Sequence, residues 1–190
     1  MAEMIDTSEF RNGLKIEIDG EPFEIVYFQH VKPGKGSAFV RTKIKSLTSG
    51  RTLEPTFRSG DKVAKADVEE REMQYLYEQA GEYHFMDAKS YEQTYLSKEQ
   101  LGSAGNYLKE NISAYILFYN GQPIGVSVPN AVDLKVIKCD PGMKGDTVTG
   151  AQKPATLESG YVVSVPLFIN EGDVLRIDTR TGEYITRVNA

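Results

Sequence analysis

The chain has 190 residues, 40% of them hydrophobic and 26% charged, with a formal net charge of −5 at pH 7; this supplies apolar content for one large core or several small ones and argues against a protein that coats nucleic acid over its whole surface. A single cysteine, Cys139, excludes an internal disulfide. No apolar run is long enough to cross a membrane, and the opening Met-Ala-Glu-Met-Ile-Asp lacks the basic and apolar stretches of a secretory signal, so the expected compartment is the cytoplasm.

In chain order, Leu14, Ile16 and Ile18 alternate with polar residues, Asp19-Gly20 marks a turn, and Phe23, Ile25 and Tyr27 resume the alternation. This is a strand, turn, strand signature. The run His30-Val-Lys-Pro-Gly-Lys-Gly-Ser-Ala-Phe39 follows. Pro33 fixes its own φ, while Gly34 and Gly36 tolerate positive φ, so the chain can reverse tightly and project Lys35 outward. A solvated hairpin lysine is the plain reading; a working amine is the functional one. Alternation recurs at Ala38–Ile44 and at Thr52–Phe57, before Ser59-Gly60-Asp61. Residues 31–65 carry nine Lys/Arg against two acids, residues 66–127 four against ten, and residues 128–190 seven against eight. Basic charge thus concentrates around the Lys35 hairpin, as a solvated face or as one that meets a polyanion.

Further along, Met73–Tyr77 and Tyr83–Met86 read as strands on either side of Gly81. Ser97, with Gln100 three residues on, predicts a capping box and a short helix, with Leu96 and Leu101 placed as a hydrophobic staple and Leu101, Ala104 and Leu108 as its core-facing stripe. Strands return at Ala114–Tyr119, before the turn Asn120-Gly121, and at Ile124, Val126 and Val128; Pro129-Asn130 then marks a boundary. Val132, Leu134 and Val136, then Tyr161–Ile169, Val174–Ile177 and Tyr184–Val188, form a last strand set, with Asp178-Thr-Arg-Thr-Gly182 as its turn. Many short strands, Gly/Pro punctuation and one short helix predict a mainly β chain of consecutive small barrels.

Residues with enzyme chemistry do not assemble into a pattern. His30 and His84 lie far apart without a Cys-x-x-Cys or His-Glu-x-x-His partner, so no metal site and no cofactor is expected. Cys139, beside an alternating apolar run, reads as a half-buried structural thiol. Gly34-Lys35-Gly36-Ser37 fails as a phosphate loop, because Gln29 and Gly36 stand where that motif needs Gly and Ser/Thr. The cluster Asp67, Glu69, Glu70 and Glu72 has no nucleophile or metal partner in the sequence and reads as a solvated acidic edge. Tyr75, Tyr77, Tyr115 and Tyr119 sit at strand period; stacking platforms are conceivable, but core or barrel-wall packing is the expectation.

Three segments together resemble the elongation factor P family, which is related to archaeal and eukaryotic initiation factor 5A. They are Lys32-Pro-Gly-Lys-Gly36 with Ala38-Phe-Val-Arg-Thr-Lys43, then Lys153-Pro-Ala-Thr-Leu-Glu-Ser-Gly160 running into Val165-Pro-Leu-Phe-Ile-Asn-Glu-Gly172, and Asp178-Thr-Arg-Thr-Gly-Glu-Tyr184. The resemblance covers essentially the whole chain. It implies three β-barrels in an L-shaped, tRNA-like arrangement: an SH3-like (KOW-type) domain over 1–65 and oligonucleotide-binding (OB) type domains over 66–128 and 129–190, the first of these two carrying the short helix. It also implies a non-enzymatic, monomeric translation factor. Such a factor binds the 70S ribosome between the peptidyl and exit tRNA sites and relieves polyproline stalls.

By the same resemblance, Lys35 is the enzymatically modified tip that reaches toward the CCA end of the peptidyl tRNA, with Pro33, Gly34 and Gly36 as its turn. Gly145, Asp146 and Thr147 correspond to a loop near the exit-site codon of the mRNA, and Tyr184 and Arg187 to positions facing RNA. Arg41 and Lys43, with Lys32, are candidates for tRNA backbone contacts, resting mainly on the charge asymmetry rather than on the resemblance. Ser37 occupies a position that varies among relatives, which leaves the modifying enzyme open. Two alternatives stand beside this reading: an OB-type RNA- or single-stranded-DNA-binding protein outside translation, and a paralogue with different ribosomal targets.

Overall fold

Short alternating runs cut by Gly, Pro and Asp-Gly pairs favour hairpins over helices. The computed structural model, which describes residues 3–141 and 150–188, is accordingly built mainly of strands in three sheets. Two compact units are separable, residues 1–70 with 117–125 and residues 71–116 with 126–190.

The first sheet contains β1 (Met4–Asp6), β2 (Lys15–Ile18), β3 (Glu21–Val31), β4 (Phe39–Ser46), β5 (Thr52–Leu53), β6 (Thr56–Arg58) and β7 (Lys62–Lys65). Its order is β1-β7-β2-β3-β4-β5, with β6 also on β4, and all pairs are antiparallel. Ile16, Phe23, Ile25, Val40 and Ile44 meet Ile5 and Phe10 in its core. Each such side chain contributes roughly 1.5–3 kcal/mol by leaving water. The Asp19-Gly20 turn has φ of 52° and 77°, as a tight hairpin reversal requires.

Two sequence expectations change here. Phe23, Ile25 and Tyr27 read as one face, but the β3–β4 register slips between Ile25 and Tyr27, and this bulge turns Tyr27 outward, 49% exposed. The expected strand Thr52–Phe57 is split around Pro55, which has no N–H to offer a ladder. Its carbonyl instead accepts from the Thr42 amide and hydroxyl at 3.1 and 2.7 Å.

The second sheet comprises β8 (Val68–Gln79), β9 (Glu82–Met86), β10 (Gln93–Ser97), β11 (Ser113–Tyr119) and β12 (Gln122–Ser127), in the order β10-β9-β8-β11-β12. Helix α1 (Lys98–Leu101) starts with the expected capping box: Ser97 Oγ accepts from the Gln100 amide, and Gln100 Oε1 accepts from the Ser97 amide at 2.9 Å. A 3-10 helix over Gly102–Tyr107 follows, and Leu101, Ala104 and Leu108 are buried as their spacing predicts.

Packing was expected for four tyrosines, and Tyr75 is buried, but Tyr77 and Tyr115 are exposed. Tyr77 stacks on His84 at 4.8 Å, and His84 neighbours Tyr95 at 5.9 Å, forming a cross-strand ladder. Tyr119 is partly covered. Its hydroxyl donates to Glu17 Oε2 at 2.5 Å, and burial together with that carboxylate pushes the phenol up to about 12.

The third sheet runs β15-β14-β13-β16-β17, from β13 (Ala131–Cys139), β14 (Gln152–Leu157), β15 (Val162–Pro166), β16 (Val174–Asp178) and β17 (Glu183–Val188). Its outer strands β15 and β17 also lie against each other, so the sheet curls around a core that includes Leu134, Val136, Leu157, Val165, Leu175 and Ile177. Lys153 and Pro154 hide β14 from a reading of alternation. Lys153 is nonetheless buried, and its ammonium donates to the Asp140 carbonyl. Cys139 is half-buried and its thiol faces the Ile169 carbonyl, a structural setting.

Candidate functional site

The long strands β3 and β4 pair from Phe23↔Ser46 to Val31↔Phe39, making a two-stranded ribbon that carries residues 32–38 at its end. Strand β6 fastens the base: Phe39 pairs with Arg58, and the Ser59 amide donates to the Ala38 carbonyl at 3.0 Å. Lys32, Pro33, Gly34, Lys35, Gly36 and Ser37 are all exposed. Gly36 alone of the two glycines uses the left-handed region, with φ +105°; Gly34 does not. No heavy atom lies within 4 Å of a Cβ built on Gly34. Its smallness therefore serves nothing inside the chain.

Below the tip, β4 alternates strictly. Val40, Thr42, Ile44 and Ser46 face inward, and Arg41, Lys43 and Lys45 face outward. Arg41 lies over the Phe39 ring at 5.5 Å, and Lys43 pairs with Glu54 at 3.4 Å, both groups being exposed. Lys32, Lys35, Arg41 and Lys43 thus share one ribbon. His30 belongs to it as well, edge-on to Phe28 at 5.8 Å.

The remaining candidates lie in the third sheet. Tyr184 and Arg187 are both on β17, Tyr184 packed partly against the core and Arg187 exposed. The Arg187 guanidinium contacts Asp173 at 3.5 Å and covers the Phe168 ring at 5.5 Å. Gly145, Asp146 and Thr147 lie outside the described residues.

The turn before β17 is built differently from the Lys35 tip. Asp178 accepts from the Arg180 amide and holds its guanidinium through two bonds of 3.1 and 2.7 Å. These contacts lower the Asp178 carboxyl to about 2. Gly182 donates to the Asp178 carbonyl at 2.7 Å, and Tyr161 Oη donates to the Gly182 carbonyl at 3.1 Å. A Cβ at Gly182 would stand 2.5 Å from Tyr161 Oη and 3.2 Å from Tyr107 Oη. This turn is a fixed part of the scaffold.

The acidic cluster Asp67, Glu69, Glu70 and Glu72 is exposed at the start of the second sheet. Among the described residues no helix is long and apolar enough to cross a membrane.

Models of the elongation factor P KOW-like domain, the elongation factor P OB domain and the elongation factor P C-terminal domain match residues 6–63, 68–126 and 132–187. The elongation factor P of Moorella thermoacetica is 58% identical over 184 residues, covering 97% of this chain and 100% of that one. The chain belongs to the elongation factor P family. The elongation factor P of Carboxydothermus hydrogenoformans is 56% identical over 185 residues, again over 97% and 100% of the two chains. In fold, the chain is similar to eukaryotic translation initiation factor 5A from Methanococcus jannaschii, with a TM-score of 0.54 and 23% identity over 67% of this chain and 95% of that one. A translation initiation factor 5A family protein from Naegleria fowleri, 13% identical, gives the same TM-score over 67% of this chain and 99% of that one. The mainly β architecture with a KOW/SH3-like domain and OB domains is therefore that of elongation factor P.

Proposed function

We propose that this member of the elongation factor P family binds the ribosome between the peptidyl and exit tRNA sites and promotes peptide bond formation at stalls on consecutive prolines. Lys35, extended by a lysine-modifying enzyme, positions the CCA end of the peptidyl tRNA. The observation that supports this most is the exposed Lys35 at the end of a ribbon whose next strand turns Arg41 and Lys43 outward. The scheme divides the chain into 1–65, 66–128 and 129–190. It gives Gly145, Asp146 and Thr147 the exit-site codon, and Tyr184 and Arg187 contacts to RNA.

The physics is positional. Proline restricts φ, so a prolyl chain holds its reacting atoms away from attack geometry. Basic residues on the ribbon hold the tRNA backbone, and a lengthened Lys35 adds donors for phosphate and 2′-hydroxyl groups. Ordering the CCA end removes part of the entropy lost at the transition state; about 1.4 kcal/mol is already tenfold in rate. Gly34 and Gly36 keep the tip narrow enough to enter an RNA cleft.

Reconstituted translation of a Pro-Pro-Pro reporter, with and without the chain, tests this reading. Full-length product restored by the chain is expected; persistent stalling overturns it. Peptide mass spectrometry on protein from the native host locates any mass added to the Lys35 peptide. Replacing Gly145, Asp146 and Thr147 together by alanine is expected to weaken ribosome co-sedimentation while leaving that mass in place.

A further inference from the structure

The outer face of the ribbon below the Lys35 tip carries an open groove of ≈ 690 Å³, lined by Tyr27, Arg41, Thr42, Lys43, Glu54 and Thr56. The β3–β4 bulge puts Tyr27 opposite Lys43 and Gln29 opposite Arg41, and β6 brings Thr56 opposite Arg41. Tyr27 is 49% exposed, and its hydroxyl donates to Gln29 Oε1 at 3.3 Å. A large aromatic ring turned to solvent by a bulge does nothing for the core beneath it. Arg41 and Lys43, as alternate residues on one strand, stand roughly 6.7 Å apart, a spacing that suits neighbouring phosphates of an extended strand.

We propose that this groove is a nucleotide subsite for single-stranded RNA, in which the Tyr27 ring stacks on an unpaired base while Arg41 and Lys43 hold the phosphates on either side. Cationic side chains beside an exposed aromatic ring are the elements that single-stranded nucleic acid requires, because every base has a π-face and every linkage a charge. A duplex fits less well, since its bases are already stacked and offer Tyr27 no free face. The choice of RNA as the polyanion rests on the ribosomal reading above; the cationic, aromatic character of the groove does not. Glu54, 3.4 Å from Lys43 in the ion pair, competes with the phosphate for that lysine. Its carboxylate sets a sign: removing the charge strengthens binding.

The test is fluorescence anisotropy of the full chain with a labelled eight-nucleotide oligouridylate over a range of salt, combined with photocrosslinking of a 4-thiouridine version and peptide mapping. Tyr27→Ala is expected to weaken binding roughly tenfold with little change in salt slope, and Tyr27→Phe to bind like the parent. Lys43→Ala is expected to reduce the slope by about 0.7. Glu54→Gln tightens binding, and the crosslink falls on the Tyr27 peptide. Lys89→Ala, an exposed lysine between β9 and β10 of the second sheet, leaves all of this unchanged. No binding of the oligonucleotide, parental binding by Tyr27→Ala, preference for an acidic peptide, or a crosslink confined to another sheet overturns the proposal. The reporter assay separates the two ideas. Rescue by the parent with RNA binding indifferent to Tyr27 sinks the groove alone, whereas RNA binding through Tyr27 without rescue sinks the ribosomal reading alone.

Discussion

Two glycine-bearing turns in this chain, Lys32–Gly36 and Asp178–Gly182, differ in construction. The turn Asp178–Gly182 is tied by the Asp178 carboxylate, the Arg180 guanidinium and the Tyr161 hydroxyl. At the tip, residues 32–37 are all exposed, and a Cβ added to Gly34 would meet nothing. A glycine that other atoms crowd is there for the fold. Open space alone is common here, as at Gly20 and Gly121, but those turns need a glycine for their positive φ, and Gly34 does not. The difference marks Gly182 as part of the scaffold and leaves the tip without an internal use for Gly34.

The largest effect on stability should come from Gly182→Ala. Its Cβ meets Tyr161 Oη at 2.5 Å with φ at +77°, so overpacking and strain together should cost about 3 kcal/mol. Gly36→Ala has the unfavourable φ, +105°, but its nearest contact is Pro33 Cγ at 3.9 Å. About 1 kcal/mol is expected from strain alone. Urea denaturation of the two variants measures the gap, and equal losses would erase the distinction between the turns.

A pH titration sharpens the same comparison. The folded-state carboxyl of Asp178 lies at about 2, below its ordinary value, chiefly through Arg180. A lowered carboxyl contributes stability above its unfolded value near 4 that is lost as pH falls toward 2. Asp178→Asn should therefore flatten the acid limb of a stability-against-pH curve between about pH 4 and 2, while Lys35→Ala leaves that limb as it is. An unchanged limb in Asp178→Asn would show that the carboxylate does not tie the turn.

The smallest effect is a gain. The β8–β9 turn places Ala80 at φ 53° before Gly81 at 83°, a geometry that Asn-Gly fills with less strain. Ala80→Asn should raise stability by about 0.5 kcal/mol in the same urea experiment, which calibrates the strain assigned to Gly36→Ala.

Much of the fold was legible because its signals are local. Asp19-Gly20 and Asn120-Gly121 adopt positive φ at both residues, and Ser97 with Gln100 forms the capping box their spacing predicts. Alternation was less informative, because period two shows that faces alternate but not which face is covered, nor where a bulge reverses them. That is why Tyr27 read as continuing the alternation of Phe23 and Ile25, and Tyr77 as packed. Strand β14 escaped because Lys153 breaks its apolar face, and only the Asp140 carbonyl explains how a buried lysine fits there. Lys35 was visible as a projecting residue from Pro33, Gly34 and Gly36, but its importance came from family likeness. The groove beside Tyr27 depends on a register slip that no local pattern encodes.

On the proposed function, the Lys35 tip works on a partner while contributing little to the fold. Lys35→Ala, measured for both thermal stability and rescue of the Pro-Pro-Pro reporter, tests it most directly. A melting temperature within error of the parent, together with loss of rescue, is expected. Parental rescue by Lys35→Ala, or a clear drop in its melting temperature, would contradict it.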